Sequence, residues 1–289
     1  MSWRKLIIIA ISIVIIIYIS IEIYSINLVN KGKKLLDSID KDFKIEDEKF
    51  ISIPKYYVNL DRSIERRNRL ETEFKKYNIV NYTRIKAFDK YNLKDIDKGE
   101  VNNIKYINDY GGEKHELGCT LSHLIAIKTA YRNGDEMALI FEDDINFNLY
   151  PLWRKSFTEI IKDLPKNIEI LQLISNKNIE TINFDIIKRP NNLATHGCTG
   201  AYLINRKGMK KVIDNFFLED NTVKFKKELK LDNIRADYGF YNFMNVYYIN
   251  CNLFLMYNFE YENNSNGRRN ILRFIERDYQ TLKYLTDNK

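Results

Sequence analysis

The longest apolar run in the chain lies at its start. From Leu6 to Ile21 the stretch LIIIAISIVIIIYISI carries no charge, with Arg4 and Lys5 before it and Glu22 after it. At about 1.5 Å per residue this is slightly short of a ~30 Å hydrocarbon core. Uncharged positions resume after Glu22 and continue to Lys31, which lengthens the span. The pattern predicts a transmembrane signal anchor over residues 6–26 behind a short tail, 1–5. A cleaved signal peptide fits less well, because no small-residue A-x-A-like site follows and the run is longer than an ordinary h-region. Residues 27–50 include KGKKLLDSIDKDFKIEDEKF, where charges of both signs outnumber the apolar positions, and they predict a solvated stem or a short amphipathic helix.

From residue 51 onward the pattern changes to short apolar runs alternating with amphipathic stretches. KYYVN breaks at Asn59-Leu60-Asp61-Arg62, and Ser63 is placed to cap a helix in which Ile64, Leu70, Phe74 and Tyr77 recur at helical spacing. YTRIKAFD (82–89) alternates as a second strand, and a polar loop is expected up to about residue 112. CTLSHLIAIKTAYRNG then predicts a helix beginning near Cys119 and ending near Gly134, with Ser122 and His123 in its first turn. MALIFEDD follows as a strand, then a helix over 152–163, strands over 168–175 and 200–205, and a helix over 207–217. The tail, 263–289, contains an amphipathic helix. Strands that are almost continuously apolar and alternate with helices predict an α/β fold: a Rossmann-type, mostly parallel sheet with helices on both faces, preceded by the one transmembrane helix. In such sheets ligands gather at the carboxyl ends of the strands, where Asn59 to Arg62 and Glu142-Asp143-Asp144 both fall.

The acidic triplet is the main candidate for chemistry. If the strand stays extended, Glu142 and Asp144 share one face and Asp143 points to the other. Two convergent carboxylates make a hard oxygen site suited to Mg²⁺ or Mn²⁺, and an ion there would offset the charge of a departing diphosphate. The plain alternative is a polar turn at a strand end. The formal net charge is +7, but the 46 basic residues are interspersed with 39 acidic ones and no RNP or zinc-finger pattern occurs, so no nucleic-acid partner is expected. Three widely spaced cysteines, Cys119, Cys198 and Cys251, indicate neither a zinc site nor a complete disulfide framework. Two glycosylation sequons, at Asn81 and Asn263, are compatible with a lumenal domain.

Taken in order, YYVNLDRSIERRNRL, HELGCTLSHLIAIKTA, ALIFEDDI and GAYLINRKGMKKVI resemble glycosyltransferase family 25, the lipopolysaccharide-type and procollagen-type galactosyltransferases, over roughly residues 54–260. The resemblance implies a GT-A-like domain, here 51–262, a nucleotide-sugar donor that is usually a UDP-sugar, and a divalent cation, Mn²⁺ or Mg²⁺, on the acidic motif. Carried over by position, Asp144 is the main metal ligand, Glu142 a metal ligand or ribose contact, and His196 a further metal or diphosphate ligand. Asn59, Arg62, Ser122 and His123 are donor-binding residues, and Asp237 is the catalytic base. Their plain alternatives are a turn with a surface arginine for Asn59 and Arg62, a satisfied core residue for His123, a loop residue for His196 and a helix cap for Asp237. The expected function is transfer of a hexose, galactose or glucose, to a hydroxyl of a glycan, lipid or protein. The alternatives are an inactive membrane-anchored scaffold and another metal-dependent nucleotidyl or phosphoryl transfer enzyme. A type II membrane protein with a lumenal catalytic domain is expected. A cytoplasmic-facing orientation stays open, because Arg4 and Lys5 are balanced by Lys31, Lys33 and Lys34.

Overall fold

The structure is a computed structural model and describes residues 3–39, 47–101, 103–175, 182–190, 197–218, 221–225, 234–256 and 268–287. Helix α1 (Trp3–Asp37) is followed by the single-turn helix α2 (Glu48–Ser52), strand β1 (Lys55–Asn59), helix α3 (Ile64–Lys76) and strand β2 (Tyr82–Lys86). The predicted polar loop holds a hairpin, β3 (Lys98–Val101) and β4 (Ile104–Asn108), whose pattern is blurred because Ile107 is exposed while Asn108 is buried. Next come α4 (Lys114–Arg132), β5 (Met137–Glu142), the two-residue β6 (Ile145–Asn146), α5 (Phe157–Lys162), β7 (Ile170–Gln172), β8 (Ile186–Lys188), β9 (Ala201–Asn205) and α6 (Arg206–Phe216). Strand β10 (Thr222–Phe225), the short α7 (Ala236–Gly239), β11 (Val246–Ile249), β12 (Leu255–Met256) and α8 (Arg268–Asp287) complete the chain.

Seven strands form the main sheet in the order β2-β1-β5-β9-β7-β11-β8. Strands β2, β1, β5, β7 and β11 run one way, while β9, between β5 and β7, and β8, at the edge, run the other. The sheet is thus mostly parallel with two reversed strands. Its two faces follow strand alternation. Tyr57, Leu139 and Phe141 join one core with Leu70 and Phe74 of α3 and Leu282 and Leu285 of α8. Tyr56, Val58, Ala138 and Ile140 join the other, with Leu121, Leu124 and Ile127 of α4 and Met209, Val212 and Phe216 of α6. Helices therefore cover both faces, as the apolar strands require.

Two boundaries differ from the sequence expectation. Helix α4 starts five residues before Cys119, because Glu113 and Glu116 form a reciprocal capping box that satisfies its first amides. Helix α1 does not give way to a stem at residue 27. It continues to Asp37, where Leu28 is buried in the core and Val29, Leu35 and Leu36 pack against it. Helix α8 lies along α1, and the Tyr24 hydroxyl donates to Glu276 Oε1 at 3.2 Å. The part of α1 before this docking segment exposes Ile11, Ile13, Val14, Ile15, Ile16 and Ile17, and α1 is long and apolar enough to cross a membrane.

Candidate active site at the end of the parallel strands

Strands β1 and β5 are parallel neighbours with Val58 opposite Glu142, so Asn59 and the acidic triplet meet at their carboxyl ends. The triplet does not stay extended. Strand β5 ends at Glu142, and Asp143 and Asp144 form a turn into β6. Asp143 consequently does not point idly to another face: its Oδ2 accepts from Asn59 Nδ2 at 2.6 Å and its Oδ1 from Arg66 Nη1 at 3.1 Å. Arg69 Nη2 donates to its backbone carbonyl at 3.3 Å. Asn59 is itself fully engaged, donating also to the Ser63 carbonyl at 3.0 Å and accepting from Arg84 Nε at 3.0 Å. Much of the positive charge that three adjacent carboxylates call for therefore comes from α3, where Arg66 and Arg69 lie three residues apart on one face. Arg62 sits further out, paired with Asp89 at 2.6 Å and set against the Tyr91 ring.

Glu142 and Asp144 are less evenly satisfied. Glu142 Oε1 accepts from Thr199 Oγ1 at 2.7 Å and lies 3.4 Å from His123 Nε2. Asp144 Oδ1 is buried without a hydrogen-bond partner, and its Oδ2 is 3.9 Å from Arg66 Nη1. The electrostatics follow. Burial, and then the neighbouring Glu142 charge, push the Asp144 carboxyl up to about 7. Burial also works against the Glu142 carboxylate, but His123, Thr199 and Arg66 outweigh it and hold that carboxyl below its ordinary value. Two neighbouring buried carboxyls that raise each other's cost of ionisation favour a bound cation, which offsets both charges. Asp144 Oδ1 supplies the unsatisfied buried oxygen that such a cation would meet, so this pair fits a hard divalent ion. Asp237 stands at the edge of the same field. It is raised by burial in spite of the Cys198 amide, which donates to its Oδ2 at 2.9 Å, and Glu142 adds to the rise.

The GCTLSH segment lies in the interior of α4, not in its first turn as expected, so Ser122 and His123 do not stand where free helix amides could meet an anion. A Cβ on Gly118 would come 2.6 Å from the Phe88 carbonyl oxygen, and Ser122 Oγ accepts from the Phe88 amide at 2.9 Å while donating to the Gly118 carbonyl at 2.6 Å. Together they clamp the exit of β2 onto α4. His123 is fully buried, its Nδ1 3.1 Å from the Tyr202 hydroxyl. Cys119, one turn before His123, is exposed, and its Sγ, His123 Nε2 and a Glu142 carboxylate oxygen all lie within 4.8 Å of one another. His196 lies outside the described residues, as does the sequon at Asn263.

The fold thus brings Asn59, His123, Glu142, Asp144 and Asp237 to one end of the sheet and leaves Arg62 at the rim. Arg66, Arg84, Cys119 and Thr199 are additions. Arg66 and Arg69 were signalled by the i, i+3 repeat in SIERRNR, and Cys119 by its i, i+4 spacing to His123; Thr199 carries no comparable local signal.

A family model described as "Glycosyltransferase family 25 (LPS biosynthesis protein)" matches residues 52–221. The chain is 27% identical over 216 residues to a "Glycosyltransferase 25 family member" of Aedes aegypti, covering 70% of this chain and 34% of that protein. It is 30% identical over 112 residues to "Putative glycosyltransferase R655" of Acanthamoeba polyphaga mimivirus, covering 37% of this chain and 32% of that one. The chain spans about a third of the length of these relatives. Among solved structures, A197 from STIV overlaps 68% of this chain and 81% of its own, with 10% identity and a TM-score of 0.34, too low to support an argument about fold.

Proposed function

The chain belongs to glycosyltransferase family 25, and from that premise we propose that it is a membrane-anchored glycosyltransferase of GT-A architecture. It transfers a hexose, galactose or glucose, from a UDP-sugar to a hydroxyl of a glycan, lipid or protein. The observation that carries the reading is the buried, unsatisfied Asp144 Oδ1 beside Glu142, at the carboxyl end of two parallel strands. Glu142 and Asp144 would hold Mn²⁺ or Mg²⁺, and a bound ion there supplies positive charge to the diphosphate leaving group.

The rest is work for the chain's own groups. Arg66, about 40% exposed and already beside Asp144, reaches toward the same region and adds a fixed cation for an anionic donor. Asp143 accepts from both Asn59 and Arg66, which fixes the turn and the guanidinium beside the cation site. Asp237 is the acceptor-side base: a carboxyl raised by burial holds a proton more readily than an exposed one, as removal of a hydroxyl proton requires. The apolar segment of α1 is the anchor, with the catalytic domain on the lumenal side.

The test is a panel of nucleotide sugars with Mn²⁺, read by thermal shift and by release of the nucleoside diphosphate. A donor that binds the native state raises the melting temperature by mass action. A UDP-hexose that shifts melting only with Mn²⁺ or Mg²⁺ supports the reading. No shift and no diphosphate release with any UDP-sugar would end it.

A further inference from the structure

The donor set around Glu142 is chemically mixed. Its two oxygens belong to the hard pair with Asp144, but one of them also faces an imidazole nitrogen and a thiol. Cys119 and His123 are four apart on α4, so their side chains stack on one face of the helix. His123 Nε2 is buried without a hydrogen-bond partner, 3.4 Å from Glu142 Oε1. With Nε2–H toward Glu142 the imidazole braces the carboxylate; in the other tautomer, where Nδ1–H donates to the Tyr202 hydroxyl, the Nε2 lone pair is free for a cation lying between the two. The surroundings are those of a metal site one shell out: a hydroxyl orients the imidazole through its far nitrogen, and the Thr199 hydroxyl donates to the carboxylate at 2.7 Å.

We propose that Cys119 Sγ, His123 Nε2 and a carboxylate oxygen of Glu142 form a binding site for a soft divalent cation of the Zn²⁺ class, and that its occupancy takes Glu142 away from the hard cation of the transfer reaction. The regulatory half rests on the proposed function; the site itself does not. Zinc takes sulfur at about 2.3 Å and nitrogen or oxygen at about 2.0–2.2 Å in a tetrahedron. The Nε2 to Oε1 separation of 3.4 Å already suits that geometry. All three ligand atoms lie within 4.8 Å, and Cys119 closes the remainder by turning about its Cα–Cβ bond on the exposed helix face. Binding forms the metal–sulfur bond and releases the thiol proton to solvent, with no redox step. Thiolate and imidazole favour Zn²⁺ over Mn²⁺ and Mg²⁺, while Glu142 with Asp144 favours the reverse.

The experiment uses the full chain in detergent, kept reduced by a phosphine, with Co²⁺ as the spectroscopic probe. Wild type should develop a sulfur-to-cobalt charge-transfer band that saturates near one equivalent and is discharged by Zn²⁺. The band should be lost in Cys119→Ser and kept in Asp144→Asn. In wild type alone, Zn²⁺ should also slow iodoacetamide alkylation of Cys119, read by peptide mass spectrometry, by about tenfold or more. In Mn²⁺-supported turnover, the Zn²⁺ concentration that halves the rate should rise about tenfold or more in Cys119→Ser. Absence of the band, its persistence in Cys119→Ser, or alkylation of Cys119 indifferent to Zn²⁺ would overturn the site. Equal Zn²⁺ sensitivity of wild type and Cys119→Ser would overturn the regulatory role. If no donor supports turnover, the proposed function fails while the cobalt and alkylation results still decide the site.

Discussion

Nε2 of His123 stands 3.4 Å from Oε1 of Glu142, and this approach ties the middle of α4 to the end of β5. The histidine is completely buried, and the Tyr202 and Phe240 rings pack near it. His123→Ala therefore leaves the Tyr202 hydroxyl and Glu142 short of a partner in the interior. We expect a loss of about 1–3 kcal/mol in unfolding free energy, measured by urea titration. Donor affinity should fall as well, since Glu142 loses its brace. Unchanged stability would show that the imidazole does not hold this corner together.

The two aspartates of the turn should separate cleanly. Asp144→Asn removes a charge at the candidate cation site and should lower turnover on the order of 10²-fold. Asp143→Asn weakens the bonds to Asn59 and Arg66 and should cost about 1–3 kcal/mol of stability, because the carboxylate accepts both and the bond from Asn59 is buried. Matched turnover and urea assays check this. Equal turnover losses in the two variants, at equal stability, would contradict the division of labour.

A pH dependence follows from Asp144. Its carboxyl is pushed up to about 7 in the folded chain against an ordinary 3.8, so between these values the folded state binds the extra proton. Stability in chelator should therefore fall as pH rises from about 4 to about 7. Asp144→Asn removes this term, so its advantage over wild type should be larger at pH 8 than at pH 4.5 in denaturant titrations. Added Mn²⁺ should restore wild type at pH 8 and have little effect on the variant.

Gly118 has no room for a side chain. A Cβ there would stand 2.6 Å from the Phe88 carbonyl, a backbone atom that cannot rotate away. Gly118→Ala should force α4 from β2 and cost about 1–3 kcal/mol, despite alanine's better helix propensity. Thermal melts of the variant would check it; a stabilised protein would show that α4 tolerates the shift.

The end of α1 belongs to the folded domain. Leu28 and Ile39 are buried in the core and α8 lies along the same helix. A fragment beginning at residue 27 should melt higher than one beginning at residue 47, and the shorter fragment should expose α8 to proteolysis. Equal melting temperatures would place the docking outside the cooperative unit.

Much was legible from local pattern alone. The apolar runs around Tyr57, Leu139 and Leu203 specify strands, the amphipathic runs between them specify helices, and an acidic triplet after a buried strand marks the carboxyl end of the sheet. These readings succeed because strand and helix periodicities are set by neighbours two to four residues away. The same locality explains what was missed. Nothing near Glu142 in sequence says that the strand stops there, so alternation read through Asp144 runs two residues too far and places Asp143 on the opposite face. The start of α4 was placed at its apolar run, although Glu113 and Glu116 had already satisfied the helix amides further back. The charge of Arg66 on Asp143 crosses from a helix 77 positions away, and the contact between α1 and α8 joins the two ends of the chain. Such meetings depend on which strands pair and which helix faces pack, and only the tertiary structure decides them.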